Sequence, residues 1–330
     1  MNSFCTLFNS LYLSRGLAMH TSLAGNCSNF HLYIFAFDDL CYETLIKLNL
    51  QSVTVISLKQ FENERLLAIK DSRTSSEYCW TCTPSTILYC IETYQLANCT
   101  YIDADLLFFG DPAVLINEMG EKSVLISDHR YTPEYDQVAI HGRYCVQFMT
   151  FKNDSNGMKV LNWWNDACLE WCFNRIEDNK FGDQKYLDDW TTRFEDIHEL
   201  QHLGGGVAPW NIQQYDVAQV NGKFIGTEKA TGQPFSFIFY HYHHYKYCES
   251  NGCLLGYYTI ELQVMRLIYS HYIKALEQAD SQLKSIQPNH VFHEELEIPR
   301  LKKSIRRMFL FRFKKKFRYY YKRSYILQNG

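Results

Sequence analysis

Two carboxylates one residue apart offer the clearest chemistry in the chain. Asp103 and Asp105 sit in the stretch Tyr101-Ile102-Asp103-Ala104-Asp105-Leu106-Leu107-Phe108-Phe109-Gly110-Asp111-Pro112. It reads as a buried strand that ends in the acid pair, with the Asp-Pro starting a new element. Residues i and i+2 of an extended segment share a face, and two carboxylates on one face repel unless a cation lies between them. Such oxygen ligands suit Mg²⁺ or Mn²⁺, which bind through one or two carboxylates plus substrate phosphates. Late in the chain, a strand over 235–240 runs straight into His241-Tyr242-His243-His244-Tyr245-Lys246. An imidazole joining the pair favours Mn²⁺ over Mg²⁺. The plain alternatives are a helix-capping Asp beside a surface Asp, and solvated histidines at a strand end.

The elements that must position these groups follow from periodicity. Apolar runs at 3–8, 30–37 and 53–58 alternate with helical patterns at 17–23 and 42–48. This β-α-β-α-β order predicts an α/β fold with a mainly parallel sheet and right-handed crossovers. Ligands bind beyond the carboxyl ends of such strands. Asn9, Tyr12, Asp38 and Asp39 fall there, and a fourth strand over 99–102 delivers Asp103 and Asp105 to the same rim. A helix is expected over 61–70, then a loop over 71–80 carrying Arg73 and Glu77. Pro84 is placed at a helix start, with 85–96 continuing it. Further strands are read at 124–127 and 144–151, and an aromatic-rich helix at 160–173. Gly182-Asp183-Gln184 opens another helix, with an N-cap as the plain reading of Asp183. A Gly-rich loop over 203–210 ends in Trp210, a candidate wall for a sugar. A helix over 262–283 and a linker over 287–297 precede the tail.

The chain has 330 residues, 46% of them apolar, enough for a large core. Residues 300–323 hold 12 of the 33 Lys and Arg and no acid, leaving 21 positive against 36 negative charges elsewhere. Phe309, Phe313, Phe317 and Tyr320 recur at helical spacing among those cations. A basic amphipathic helix of this kind lies on an anionic membrane surface; nucleic acid is not the expected partner. Twelve cysteines are scattered through apolar segments. No basic-then-apolar leader opens the chain, and no apolar run of about 18 residues spans a bilayer. Reduced thiols in a cytoplasmic protein fit this pattern. Cys79-Trp80-Thr81-Cys82 lacks the second pair that a zinc site needs. No Gly-x-x-x-x-Gly-Lys-Ser/Thr or Gly-x-Gly-x-x-Gly follows the first strand, so P-loop and dinucleotide-binding classes lack their signature.

The order of these parts resembles the GT-A-type glycosyltransferases. It is similar to the retaining family 8 enzymes and to bacterial sugar-nucleotide transferases of capsule and lipopolysaccharide synthesis. The resemblance covers residues 3–250: N-terminal nucleotide-binding strands, Asp103-Ala104-Asp105, Gly182-Asp183-Gln184, and a late His with a Lys. It implies a nucleotide-diphosphate sugar donor and a saccharide or lipid-linked acceptor. It implies Asp103, Asp105 and His241 as ligands of Mn²⁺ or Mg²⁺, with His243 as the alternative imidazole. Lys246 would contact the β-phosphate. Phe8, Asn9 and Tyr12 would line the base and ribose pocket, with Asp38 or Asp39 near the base, and Ala104 would lie against the donor. Arg73 would neutralise phosphate or orient the sugar. Asp183 and Gln184 would sit under the sugar at the reacting carbon. Where the family often has Asn-x-Gly, this chain has Cys145-Val146-Gln147. Alternatives on the same sheet are a nucleotidyltransferase and a non-catalytic nucleotide-sugar-binding protein. The expected division is 1–255 as the glycosyltransferase domain, 256–298 as helical extension and linker, and 299–330 as basic tail.

Overall fold

The computed structural model describes residues 1–296 and 319–328. Eight strands fall within residues 1–199: β1 (Asn2–Phe8), β2 (Phe30–Ala36), β3 (Val53–Ser57), β4 (Asn98–Ile102), β5 (Leu106–Phe108), β6 (Val124–Asp128), β7 (Tyr144–Lys152) and β8 (Ile197–Glu199). All but β5 form one sheet in the order β3-β2-β1-β4-β7-β6-β8. β1 to β4 are mutually parallel, and β7 runs antiparallel to β4 and β6. The expected mixed α/β architecture, a mainly parallel sheet flanked by helices, is therefore what the chain forms.

The strands are apolar on both faces because helices cover both. Along β1, Phe4 and Phe8 join one core with Leu17, Leu32, Ile34 and Phe148. Cys5 and Leu7 point the other way, into a core with Phe35, Ile87, Trp164 and Trp190. This is the two-residue alternation of an extended chain, buried twice. Trp163 and Trp171 of the aromatic-rich segment pack around the second core and its edge.

Several elements differ from the sequence reading. The segment with Arg73 and Glu77 is not a loop leading to a helix at Pro84. One helix, Ser75–Tyr94, runs through both, with Pro84 inside it. A capping box starts it: Thr74 caps Glu77 N–H while the Glu77 carboxylate accepts from Thr74 N at 2.8 Å. That closure of two orphan donors outweighs the hydrogen bond Pro84 cannot make. The helix over 61–70 is two short ones, Leu58–Phe61 and Glu64–Lys70, because Asn63 caps the second through Leu66 N–H. An antiparallel hairpin, β9 (Tyr215–Val220) with β10 (Lys223–Glu228), turns at Asn221-Gly222, both at positive φ.

The late strand is also two. β11 (Pro234–Ser236) pairs with β10, and β12 (Phe239–His241) pairs antiparallel with β5. Phe237 and Ile238 lie between, and Ile238 O accepts from Phe109 and Gly110 N–H. β13 (Tyr245–Cys248) and β14 (Gly252–Leu255) follow, joined by β15 (Glu295–Leu296) and β16 (Tyr320–Lys322) in a four-stranded sheet. The last part of the expected amphipathic helix is thus a strand; residues 297–318 of that expectation lie outside the described residues. The helix Ser270–Ile286 packs on Leu13–Asn26, where Ser14 Oγ donates to Asp280. All twelve thiols are free. Among the described residues no helix is long and apolar enough to cross a membrane.

Candidate active site

β4 ends at Ile102, and the chain turns through Asp103-Ala104-Asp105 into β5. Asp103 N–H donates to Gln147 O on the neighbouring β7 at 3.1 Å, and Asp105 O accepts from Tyr242 N–H at 3.0 Å. The backbone thereby locks the acid pair between the sheet and the late segment. Pairing of His241 with Leu106 in the β12–β5 register brings the imidazole to the pair. His241 Nε2 lies 3.0 Å from Asp105 Oδ1 and 3.7 Å from Asp103 Oδ2. Ligand atoms of Asp103, Asp105 and His241 all fall within 4.8 Å of one another, a group that does not include His243. The ring of His243 packs instead on Trp210 and His244. Two carboxylate oxygens and an imidazole nitrogen are a donor set that fits Mn²⁺ or Mg²⁺.

Electrostatics separate the acids. Burial raises Asp105, but the charge and hydrogen bond of His241 outweigh it and bring the group down to about 2. Burial dominates at Asp103; His241 opposes it, the Asp105 charge adds to it, and the group is pushed up to about 7. Burial and the Asp103 charge push Asp183 up to about 8. Burial lowers His241, yet Asp105 and Asp103 hold it well above the usual imidazole range. Burial, with His244 and His241, holds His243 well below that range. The His241 imidazolium is therefore the cation between the carboxylates, in the place a divalent ion would take.

The other expected residues divide between rim and frame. Asp183 is buried beside Asp103 and Thr83, and its carbonyl accepts from Trp164 Nε1 at 2.8 Å. It is not an N-cap. Gly182 before it has φ +52 with the Trp80 ring 3.5 Å from where a Cβ would stand, so the turn needs glycine. Gln184 Nε2 donates to His141 O at 2.9 Å and holds the short helix Val138–His141. Asn9 follows β1, and its Oδ1 is buried without a partner among the described residues. Tyr12 is 43% exposed, and burial of its hydroxyl together with the Asp105 charge raises that group, with Arg15 opposing. Ala104 is buried between the two acids. Lys246 is exposed on β13, near His244.

Four residues serve the frame. Phe8 is buried with its ring against Gly16, in the core. Asp38 accepts from Cys41 N–H and Ser10 N–H, capping one helix and tying down the loop after β1; Asp39 lies in that helix's first turn. Arg73 donates to Leu169 and Glu170 carbonyls at the end of the helix Ser155–Glu170 and stacks over Phe173 at 3.8 Å. Close packing accounts for a glycine in the Gly-rich loop. A Cβ on Gly204 would lie 1.9 Å from Ser236 O. Trp210 is 3% exposed and floors the site against His241, rather than offering a wall to a sugar.

Arg15 was missed. It is buried, its guanidinium lies 4.4 Å from the Tyr12 ring, and NH2 donates to Tyr245 O at 3.2 Å. Among the described residues it has no carboxylate within ion-pair distance, and it helps lower Asp105. Its i, i+3 spacing from Tyr12 was the available signal. Tyr101, which donates to Asp103 Oδ1 at 3.0 Å, stood two residues from that acid on the same face.

No family model matches the chain. The chain is 30% identical over 295 residues, 87% of its length and 92% of the relative, to the uncharacterized protein YfnD of Bacillus subtilis (strain 168). It is 31% identical over 258 residues, 76% of its length and 84% of the relative, to the uncharacterized protein YfnF of the same organism. The chain belongs to the family of YfnD and YfnF. Among solved structures, it resembles the glycosyltransferase GlyE of Streptococcus pneumoniae TIGR4, with 14% identity and a TM-score of 0.42 over 62% of this chain and 46% of that one. The bifunctional glycosyltransferase WbbM gives 11% and 0.43 over 63% and 39%. The galactosyltransferase LgtC, in complex with donor and acceptor sugar analogs, gives 9% and 0.40 over 60% and 72%. The chain spans less than half the length of the GlyE and WbbM chains. At these TM-scores the likeness is partial.

Proposed function

We propose that this protein is a metal-dependent glycosyltransferase of the GT-A type. It moves a sugar from a nucleotide-diphosphate sugar to a saccharide or lipid-linked acceptor in bacterial surface polysaccharide synthesis. The observation that carries this reading is the convergence of Asp103, Asp105 and His241, from distant parts of the chain, at the carboxyl ends of β1 and β4. Asp103, Asp105 and His241 would hold Mn²⁺ or Mg²⁺, which stabilises charge developing on a leaving diphosphate. Arg15 and Lys246 add fixed positive charge at the same rim. The orphaned Asn9 Oδ1 and the exposed Tyr12 ring offer the nucleoside a hydrogen bond and a stacking face. Asp183, protonated near neutral pH, donates a hydrogen bond toward the sugar, and Gln184 braces the Val138–His141 helix beside it. The basic residues 300–323 would hold the enzyme on an anionic membrane surface where lipid-linked acceptors lie.

A thermal-shift panel of UDP-, GDP- and CMP-sugars with and without Mn²⁺ tests the donor site. One donor should raise the melting temperature only with Mn²⁺; no shift with any of them overturns the reading. Asp105→Asn should cut metal-dependent hydrolysis of that donor about a hundredfold. Undiminished hydrolysis would reject the assignment.

A further inference from the structure

We infer that Gln147 is a positioning residue that fixes the His241 ring for metal binding. The inference rests on the metal-dependent reading above. Gln147 lies on β7 and is fully buried. Its Oε1 is 2.8 Å from His241 Nδ1, while Nε2 of the same ring faces Asp105 at 3.0 Å. An amide oxygen only accepts, so Nδ1 carries a proton. That makes Nε2 the nitrogen that offers a lone pair to a cation between the carboxylates once its own proton has left. The Gln147 carbonyl also accepts from Asp103 N–H at 3.1 Å. One residue thus holds an imidazole ligand through its side chain and a carboxylate ligand through its backbone.

Packing alone does not account for a glutamine here. Gln147 Nε2 is buried with no acceptor among the described residues. An apolar side chain of the same length would fill the space without burying an unsatisfied donor. The amide oxygen is the part of the side chain that meets the ring. The other neighbours of the ring are Trp210 and His243, which pack against it edge-on, and Cys145, whose sulfur is a weaker acceptor than an amide oxygen.

The full chain with ¹⁵N-labelled histidine decides the matter, beside Gln147→Met, which keeps the length and removes the acceptor, and Gln147→Glu, which keeps an acceptor. In wild type the His241 Nδ1 proton should be shielded from solvent exchange by its bond to Gln147 Oε1; in Gln147→Met that protection should be lost. Mn²⁺ affinity, read by calorimetry, should fall about ten- to a hundredfold in Gln147→Met and be restored toward wild type in Gln147→Glu. A merely structural glutamine gives the opposite order, because a buried charge perturbs the core more than a thioether. An unprotonated Nδ1 in wild type, or equal Mn²⁺ affinity in wild type and Gln147→Met, overturns the inference. If wild type binds no Mn²⁺, the metal reading falls, and the Nδ1 signal still decides the role of Gln147.

Discussion

Asp103, Asp105, Asp183 and His241 share their protons unequally, and the inequality has measurable signs. Asp183 holds its proton up to about 8, against 3.8 for a free aspartate. The folded chain therefore binds more protons than the unfolded one across that window, and this group's contribution to stability falls as pH rises through it. Asp183→Asn should remove the fall. Its melting temperature relative to wild type should climb from about pH 5 to about pH 8, and a constant difference would contradict the assignment. His241 is held above its usual range, so a metal must displace the Nε2 proton. Mn²⁺ affinity should rise with pH, by about tenfold per unit, until that proton is gone. Calorimetry between pH 5.5 and 7.5 checks it; a flat profile would exclude His241 as ligand. The acid pair was legible in the sequence because i, i+2 is a local pattern. The resemblance preferred His241 over His243, but no local pattern gave the reason, which is that His241 of β12 stands opposite Leu106.

Elements were legible where their signals were periodic and obscured where one residue carried two meanings. The parallel strands were plain from their apolar runs. Pro84 was read as a helix start, although Thr74-x-x-Glu77 marked the true one; a proline inside a helix hid the capping box. Thr74→Ala should lower stability by about 1 kcal/mol in urea denaturation. The Asn221-Gly222 hairpin carried its own turn signal and went unread because its strands are half exposed and weakly apolar. Gly204 sits at the opposite extreme of tolerance. Gly204→Ala drives a methyl into Ser236 O, so it should cost above about 3 kcal/mol and displace β12. Loss of Mn²⁺ binding in whatever folded fraction remains would be the second readout.

For the whole molecule, the C-terminal part is joined to the body rather than appended. Tyr320–Lys322 pairs with β14, and Ile326 is buried in a core with Tyr247, Leu255 and Ile268. Removing residues from 300 onward would therefore damage the fold, and charge reversal is the cleaner test of membrane contact. Lys302, Lys303, Lys314 and Lys315 changed together to Glu should abolish co-sedimentation with phosphatidylserine vesicles and leave the protein's melting temperature unchanged. Retained co-sedimentation would remove the membrane role. None of this joining was legible in the sequence, because strand partners so far apart leave no local pattern.

The pairing of β5 with β12 also bears on how the molecule is made. Asp103 and Asp105 are synthesised long before His241, so the nascent chain carries two adjacent carboxylates with no cation to separate them. Their site comes into existence only when a large loop closes, and contacts of such separation form late. On the metal-dependent reading proposed above, Mn²⁺ binding would time the final folding step. In refolding experiments it should return with the slowest phase, after the secondary structure of the parallel strands has recovered.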